Sequence, residues 1–176
     1  MDERRIVLYI ASSLDGYIAT QDENLDWLLS VHGEGDNGYS QFYDTIDTII
    51  MGRKTYDWIM THENGNFPYP GKECFVFSNT RQGSDDFVSF KSDDPVVFAD
   101  ALKRKPGRKI WIVGGGILID AFLRQNCVDE IILSIAPILL GSGIPLFLPK
   151  DLMTNLILTD VKRYGQFAEL HYTVVK

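Results

Sequence analysis

Three turns that follow predicted strands carry the residue types that bind phosphate groups. The first turn reads Met51-Gly52-Arg53-Lys54-Thr55. Glycine allows a ligand to approach the backbone closely, and a helix that begins there offers unpaired N–H groups to an anion. Arg53 and Lys54 add positive charge at the same place. The same residues are also typical of a tight turn followed by two solvated cations, and the sequence leaves both interpretations open.

The second turn consists of Gly114, Gly115 and Gly116, followed by Ile117. Three glycines between a buried strand and a helix remove every side chain from the place where a pyrophosphate could lie on the helix dipole. The Rossmann fingerprint does not fit, because its third glycine would fall at Ile119 and the unit lies late in the chain. A P-loop is excluded because no Gly-Lys-Ser/Thr follows. A turn required only for packing is the alternative.

The third turn, from Phe77 to Arg81, ends a predicted strand with Ser78, Asn79 and a cation. Hydroxyl, amide and guanidinium groups can hold a ribose phosphate, although a plain turn has the same composition. Ligands of mixed α/β sheets lie at the carboxyl ends of the strands. Taken together, the three turns therefore predict a crevice for a phosphorylated cofactor.

Hydrophobic patterning predicts the alternating strands and helices that would position these turns. The predicted strands are Ile6–Ser12, Thr48–Met51, Glu73–Phe77, Val88–Phe90, Lys109–Val113, Glu130–Ile135, Leu156–Tyr164 and Phe167–Val175. The predicted helices are Tyr39–Ile46, one beginning near Lys54, one from Pro95 to about Lys105, and Ile117–Gln125, with a long irregular segment over residues 14–37. Strand–helix units followed by a late hairpin predict one domain, residues 1–176, with a mixed sheet covered by helices on both faces.

The last predicted strand shows a strict alternation of residue types. Ala168, Leu170, Tyr172 and Val174 alternate with Glu169, His171 and Thr173. This pattern is typical of a strand with one buried face. It predicts that Glu169 and His171 lie on the polar face.

Composition excludes several classes of function. The formal net charge is −7, and no basic cluster exceeds Lys103-Arg104-Lys105, so we expect no nucleic-acid partner. The first apolar run, residues 6–11, is too short for a signal-peptide core or a membrane span, so we expect no membrane partner. Cys74 and Cys127 lie in apolar runs and are predicted to be buried free thiols, which fits a cytoplasmic location. His32, His62 and His171 lack ligand spacing, so no metal site is predicted.

Several motifs in one order resemble the dihydrofolate reductase family. They are Ser13–Ala19, Met51–Thr55 and Val113–Gly116, and the similarity extends from about Ile6 to Val175. The Leu-Asp-Gly-Tyr-Ile-Ala form of the first motif and the run Ala136–Gly143 are more similar to the reductase domain of riboflavin biosynthesis. The resemblance implies an α/β fold of the dihydrofolate-reductase type, with three α/β/α layers, a mixed, mostly parallel sheet and a C-terminal antiparallel hairpin.

The resemblance also implies NADPH as the hydride donor and a small molecule as the substrate. The residues that it assigns to the nicotinamide, pyrophosphate and adenosine-phosphate parts of the cofactor are Ala11, Ile18, Gly52, Arg53, Lys54, Thr55, Ser78, Asn79, Gly114, Gly115, Gly116 and Ile117. Positive charge at Arg53, Lys54 and Arg81 would favour a 2′-phosphate, and hence NADPH over NADH.

Reduction of a C=N bond requires hydride at carbon and a proton at nitrogen, so a positioned acid helps. By resemblance, Asp36 lies about where folate reductases carry their acid, 16 residues before Gly52. It also suits the start of the helix near Tyr39. Asp15 is the second candidate, and a turn residue before Gly16 is its alternative interpretation.

Three functions follow as hypotheses. The first is an NADPH-dependent reductase of a pyrimidine- or pteridine-like substrate, most like the 5-amino-6-(5-phosphoribosylamino)uracil reductase of riboflavin biosynthesis, for which the resemblance implies reduction of a ribosylamino group to a ribitylamino group through an open Schiff base. The second is dihydrofolate reduction, and the third is a cofactor-binding module without turnover. The 176 residues leave no room for the zinc deaminase that often accompanies the riboflavin reductase, so we expect a stand-alone reductase. By resemblance we expect a homodimer; the apolar runs Ile138–Leu140 and Ile144–Phe147 fit either a dimer contact or core packing.

Overall fold

A nine-stranded sheet forms the centre of the computed structural model, which describes residues 3–149 and 153–176. The strands, including a separate pair formed by β2 and β9, are β1 (Ile6–Ser13), β2 (Tyr17–Ala19), β3 (Ile46–Gly52), β4 (Glu73–Phe77), β5 (Gly83–Ser84), β6 (Ser89–Lys91), β7 (Lys109–Gly114), β8 (Glu130–Ala136), β9 (Ile144–Pro145), β10 (Leu156–Tyr164) and β11 (Phe167–Val174). The helices are α1 (Asp26–Leu29), α2 (Tyr39–Tyr43), α3 (Arg53–His62), α4 (Pro95–Lys103) and α5 (Gly116–Arg124).

The strand order is β10-β11-β8-β1-β7-β3-β4-β6-β5. The strands from β8 to β6 are parallel, whereas β11 pairs antiparallel with β8 and with β10, and β5 pairs antiparallel with β6. The carboxyl ends of β1, β7, β3 and β4 therefore meet at one edge of the sheet. The mixed sheet with a C-terminal antiparallel hairpin is the predicted architecture.

Alternation along the strands divides the core between the two faces of the sheet. Leu8 of β1 and Ile112 of β7 pack with α4 and α5 on one face. Val7 and Trp111, their neighbours in the sequence, pack with α2 and α3 on the other face. The strands are apolar on both sides because helices cover both sides, as parallel sheets require.

The helix starts differ in a way that matters for ligand binding. At α4, the Asp94 carboxylate accepts hydrogen bonds from the N–H groups of Val96 and Val97, as the Asp-Pro sequence predicts. The helices α3 and α5 begin after Gly52 and Gly115, and neither has a side-chain cap. Their first N–H groups are thus available to an external acceptor.

Most predicted elements are confirmed, and the differences lie at their ends and in the irregular segment. The helix predicted over residues 39–46 ends at Tyr43, because Ile46 begins β3 and is fully buried. The segment over residues 14–37 contains the short elements β2 and α1. The first pairs with β9, which had no clear strand pattern.

Three further findings concern cysteines, membranes and metals. Cys74 and Cys127 are buried free thiols, as predicted. None of the helices within residues 3–149 and 153–176 combines the length and apolar character needed to cross a bilayer. Over the same two ranges, no three His, Cys, Asp or Glu side chains are grouped as metal ligands.

Candidate functional site

The first two glycine turns are in contact at the carboxyl edge of the sheet. Met51 of β3 is paired with Gly114 of β7. A Cβ atom at Gly52 would lie 3.8 Å from the Gly114 carbonyl oxygen and 3.9 Å from the Gly115 nitrogen. Since each turn leads directly into a helix, the uncapped N-termini of α3 and α5 lie side by side. Two such helix ends form a site suited to a pyrophosphate.

Glycine is required in the second turn. Gly114 has φ +139°, a conformation that residues with a side chain rarely adopt, and its peptide bond to Gly115 is cis. A Cβ at Gly115 would lie 3.5 Å from Oγ1 of Thr55, so the two predicted cofactor residues face each other. Ile117, also predicted to contact the cofactor, is exposed on α5.

The third turn joins the first through Arg53. Its Nη1 atom donates to Thr80 Oγ1 at 2.8 Å, and its Nε atom lies 3.4 Å from Asp57. Arg81 lies 3.5 Å from the same carboxylate. The structure thus brings two cations to one place at the end of β4, next to the exposed Lys54.

The side chain of Ser78 stabilises the backbone of this turn. It is buried, and its Oγ atom accepts hydrogen bonds from the N–H groups of Thr80 (3.2 Å) and Arg81 (3.0 Å). Asn79, by contrast, is exposed. Of the two predicted residues in this turn, only Asn79 has an exposed side chain.

A cavity of about 310 Å³ lies beside the glycine turns. Its lining residues are Tyr9, Ile10, Ala11, Leu28, Leu29, Val31, Asp36, Asn37, Ser134 and Phe167. Ile10 of β1 links the two regions, because it is among the residues that line the cavity and a Cβ at Gly114 would lie 3.7 Å from its Cδ1 atom. A ligand at the glycine turns and a second ligand in the cavity would therefore both lie near the end of β1, where Ala11 also lines the cavity.

The segment after β1 closes one side of this region. Ile18 of β2 is half-buried and packs on the core cluster that includes α5. The partner strand β9 lies on the first turn of α5, where a Cβ at Gly116 would be 3.0 Å from the Pro145 carbonyl oxygen. The predicted nicotinamide contact Ile18 thus lies close to the glycine turn.

Asp36 lines the cavity as an acceptor at the start of α2. Its carboxylate accepts hydrogen bonds from the N–H groups of Gly38 (3.0 Å) and Ser40 (2.8 Å). Bonding from Ser40, then from the Gly38 N–H, lowers the pKa of Asp36 below 3.8. These contacts are those of the helix-start interpretation. In this conformation the group is ionised at neutral pH and has no proton to donate.

Asp15 holds two loops together. It accepts a 2.6 Å hydrogen bond from Ser13 Oγ and further bonds from the N–H groups of Leu140 (3.1 Å) and Gly141 (2.8 Å). The Ser13 bond is the largest of the effects that lower the pKa of Asp15. Its contacts are those of the turn interpretation, extended to the loop before β9.

Sequence reasoning missed a polar cluster on the floor of the cavity. Glu169 is only 3% exposed, so its prediction as a residue of the polar outer face was wrong. Its Oε2 atom accepts a 3.0 Å bond from Ser134 Oγ, and its Oε1 atom lies 2.7 Å from His171 Nε2. The segment over residues 28–37 covers this face and makes it interior. Polar residues at alternate positions of β11 were the available signal, but nothing in the pattern shows what covers a strand.

Tyr9 lies next to this cluster. Its ring stacks on Phe42 with 4.0 Å between centroids. Burial, followed by the negative charge of Glu169, raises the pKa of Tyr9 well above 10. The phenol therefore stays protonated.

Comparison with known proteins agrees with this geometry. The sequence profile described as the RibD C-terminal domain matches residues 4–168. The uncharacterised protein YwjB of Bacillus subtilis (strain 168) is 45% identical over 171 residues, which cover 97% of this chain and 98% of YwjB.

Solved structures are similar over almost the whole chain. A protein of Shewanella sp. PV-4, provisionally assigned to riboflavin biosynthesis, has a TM-score of 0.88 at 31% identity, covering 98% of this chain and 99% of its own. Dihydrofolate reductase of Enterococcus faecalis, complexed with NADP(H) and RAB-propyl, has a TM-score of 0.62 at 15% identity, covering 98% and 97%. The predicted dihydrofolate-reductase-like fold is thereby confirmed.

Proposed function

Because the chain belongs to the family of the RibD C-terminal domain, we propose that it is an NADPH-dependent reductase that delivers hydride to a C=N bond of a pyrimidine- or pteridine-like small molecule. The observation that carries this proposal is the placement of two uncapped helix N-termini near a partly open cavity of about 310 Å³. A dinucleotide on the first and a small molecule in the second would lie next to each other.

The residues present fit NADPH. The first turns of α3 and α5 offer N–H groups to the pyrophosphate, and Gly52 and Gly115 leave space for it. Arg53 and Lys54 supply charge for the additional phosphate. Ala11 and Ile18 would contact the nicotinamide. When bound, NADPH supplies the hydride.

The contribution of Asp36 is electrostatic in this proposal. An ionised carboxylate beside a C=N group favours the protonated iminium form, which accepts hydride more readily than the neutral imine. The proton then comes from solvent. Leu28, Val31 and Phe167 line the same cavity and exclude water from the reacting carbon.

The substrate we propose is a ribosylamino pyrimidine. Reduction of its open Schiff base to a ribitylamino group is the reaction type of the riboflavin branch of this family. A cavity of about 310 Å³ accommodates the pyrimidine ring and part of the sugar.

Titration with NADPH and NADH, followed by quenching of tryptophan fluorescence, tests the cofactor. We expect NADPH to bind at micromolar concentration and NADH at least about tenfold more weakly, a gap of about 1.4 kcal/mol. Binding of neither nucleotide would overturn the proposal.

Turnover is tested by following NADPH oxidation with a ribosylamino pyrimidine, a dihydropterin, dihydrofolate and a cyclic imine. We expect oxidation with a C=N-containing pyrimidine or pterin. NADPH binding without oxidation of any of these would favour a module that binds the cofactor and does not turn over. Oxidation with dihydrofolate alone would make the protein a dihydrofolate reductase.

A further inference from the structure

The cavity beside the glycine turns is acidic. No Lys or Arg is among its lining residues, all of which belong to the described part of the chain. The wall carries the Asp36 carboxylate, and the Glu169 carboxylate is bonded to Ser134 on the floor. The acidic groups of this compartment are therefore two carboxylates, and the basic side chain beside them is His171, whose Nε2 atom lies 2.7 Å from Glu169 Oε1.

Glu169 is held in place by two neighbours of different character. Ser134 bonds to one carboxylate oxygen and His171 to the other. Lys162 of β10 is opposite Glu169 in the strand register, but its ammonium group lies 3.9 Å from Asp160 and is 41% exposed. The nearest lysine on this face therefore points to another carboxylate and lies toward solvent.

The hydroxyl of Ser134 can accept a hydrogen bond from a ligand but has no proton left to donate to one. A serine hydroxyl has a single proton, and this one is donated to Glu169. What Ser134 presents to the cavity is consequently an oxygen lone pair, made more negative by the carboxylate behind it. An oxygen of this kind binds an N–H donor and repels an anion.

We propose that this cavity selects a substrate without an anionic group in the reacting half, one that presents an amino or imino N–H to Ser134 with Glu169 as the supporting charge. The inference rests on the proposed function and narrows it. A phosphorylated or carboxylated group would lie in the field of two carboxylates with no lining Lys or Arg to pair with it, and the nearby His171 is already paired with Glu169. For a ribosylamino pyrimidine, the dephosphorylated form is the one that fits.

Burial and the same negative charges raise the pKa of Tyr9. After burial, the effects that raise the pKa of its phenol are the charges of Glu169, Tyr164, Tyr39 and Asp36. The surroundings thus disfavour a negative charge at a site inside the cavity wall. The same charges would destabilise a bound anion.

The test compares two probes that differ by one charge, 2,4-diaminopyrimidine and its ring carboxylate. Each is titrated against the protein alone and against the protein saturated with NADPH, by calorimetry. We expect the diamine to bind at least about tenfold more tightly than the carboxylate. Equal affinities, tighter binding of the carboxylate, or binding of neither probe would overturn the inference.

Two variants test whether Glu169 and Ser134 produce the preference for the diamine over the carboxylate. Glu169→Gln keeps the size of the side chain and removes its charge, so we expect the preference to fall below about threefold while the affinity for NADPH stays unchanged. Ser134→Ala keeps the charge of Glu169 but removes the acceptor oxygen and one of the two bonds that hold Glu169, and it should weaken the diamine by about tenfold. Preference retained in both variants would contradict the assignment to these residues.

The control variant is Glu130→Gln, and the separate readout is the NADPH titration. Glu130→Gln removes a carboxylate from the other end of β8, where it pairs with Arg5 and Lys109, and should leave the preference intact. The NADPH titration stands apart from the probe titrations. Loss of NADPH binding with the preference present would refute the proposed function alone, and the reverse result would refute the cavity assignment alone.

Discussion

The proposed function assigns Arg53 to a phosphate on the adenosine side of the dinucleotide, and its guanidinium is already oriented by Thr80 and Asp57. We expect Arg53→Ala to weaken NADPH binding by about tenfold or more, since hydrogen bonds to charged groups contribute about 1.5–3 kcal/mol. NADH, which lacks the extra phosphate, should change by less than about threefold. The measurement is the dissociation constant of each nucleotide by tryptophan fluorescence.

The control for this variant is Arg104→Ala, which removes an exposed cation at the end of α4. It should change neither dissociation constant. An equal loss of NADPH and NADH affinity in Arg53→Ala would mean that Arg53 serves the pyrophosphate or the turn itself.

Asp36 combines a structural contact with a place in the cavity wall, and one substitution separates the two roles. The Gly38 and Ser40 N–H groups donate to different oxygens of Asp36, and Asn keeps one acceptor oxygen, so Asp36→Asn should lower the melting temperature only slightly and keep the NADPH affinity. Because the charge that favours the iminium is gone, we expect kcat to fall by about tenfold or more. Unchanged kcat would leave Asp36 with the helix-start role only.

At the scale of elements, Asp129 joins the start of β8 to three other parts of the chain. It accepts a 2.7 Å bond from the Ile6 N–H and ion-pairs with Lys103 at 2.8 Å and Lys176 at 2.6 Å. Burial acts to raise the pKa of Asp129, but the Ile6 N–H and the two lysines outweigh it, so the pKa is lowered. A carboxylate of this kind stabilises the fold only while it is ionised.

This arrangement predicts acid sensitivity. With a lowered folded-state pKa, the contribution of Asp129 is present above about pH 4, near the unfolded pKa, and is lost as the pH falls toward the folded value. Asp129→Asn should reduce the free energy of unfolding at pH 7 by about 2 kcal/mol. It should also make stability less dependent on pH below 4. Urea unfolding at a series of pH values measures both effects.

Asp86→Asn is the matched control, because Asp86 is exposed and lies between β5 and β6, away from the parts of the chain joined by Asp129. Its stability and pH dependence should follow those of the unmodified protein. A pH dependence that is the same in Asp129→Asn would show that other carboxylates, such as Glu130, carry the effect.

At the scale of the molecule, β10 leaves one edge of the sheet unpaired. Leu156, Ile157, Leu158 and Val161 are exposed on this strand. Long apolar edge strands are normally paired or covered. A second copy can do this, since an antiparallel pair centred on Val161 sets Asp160 of one copy opposite Lys162 of the other. We therefore place the expected homodimer at β10 rather than at the runs 138–140 and 144–147.

Val161→Glu tests this interface. Two carboxylates would then face each other at the centre of the strand pair, so we expect the dimer to dissociate. Light scattering coupled to size exclusion measures the mass. Val97→Glu, at an exposed position of α4, is the control and should stay dimeric. A monomeric unmodified protein would refute the dimer, and a dimeric Val161→Glu variant would refute this interface.

Much of this molecule follows from local pattern. Apolar runs predict β1, β4 and β7 to within one residue at each end, and Asp94 before Pro95 predicts the start of α4. The glycine turns could be assigned because Gly52 and Gly114–Gly116 stand at strand ends, where residue type reports backbone geometry directly. Such signals are short-range, so they survive without knowledge of the fold.

The cavity depends on contacts between residues far apart in the chain. Ser134 and Glu169 meet because β8 and β11 are paired, and Glu169 is interior because the segment over residues 28–37 covers that face. Likewise, the sequence leaves Asp15 as an acid or a turn residue, whereas the tertiary structure bonds it to the N–H groups of Leu140 and Gly141 in a distant loop. Local pattern is thus enough for most elements and for the glycine turns at the strand ends. The surroundings of Asp15 and Glu169 follow from the fold, because they depend on burial and on hydrogen-bond partners from distant parts of the chain.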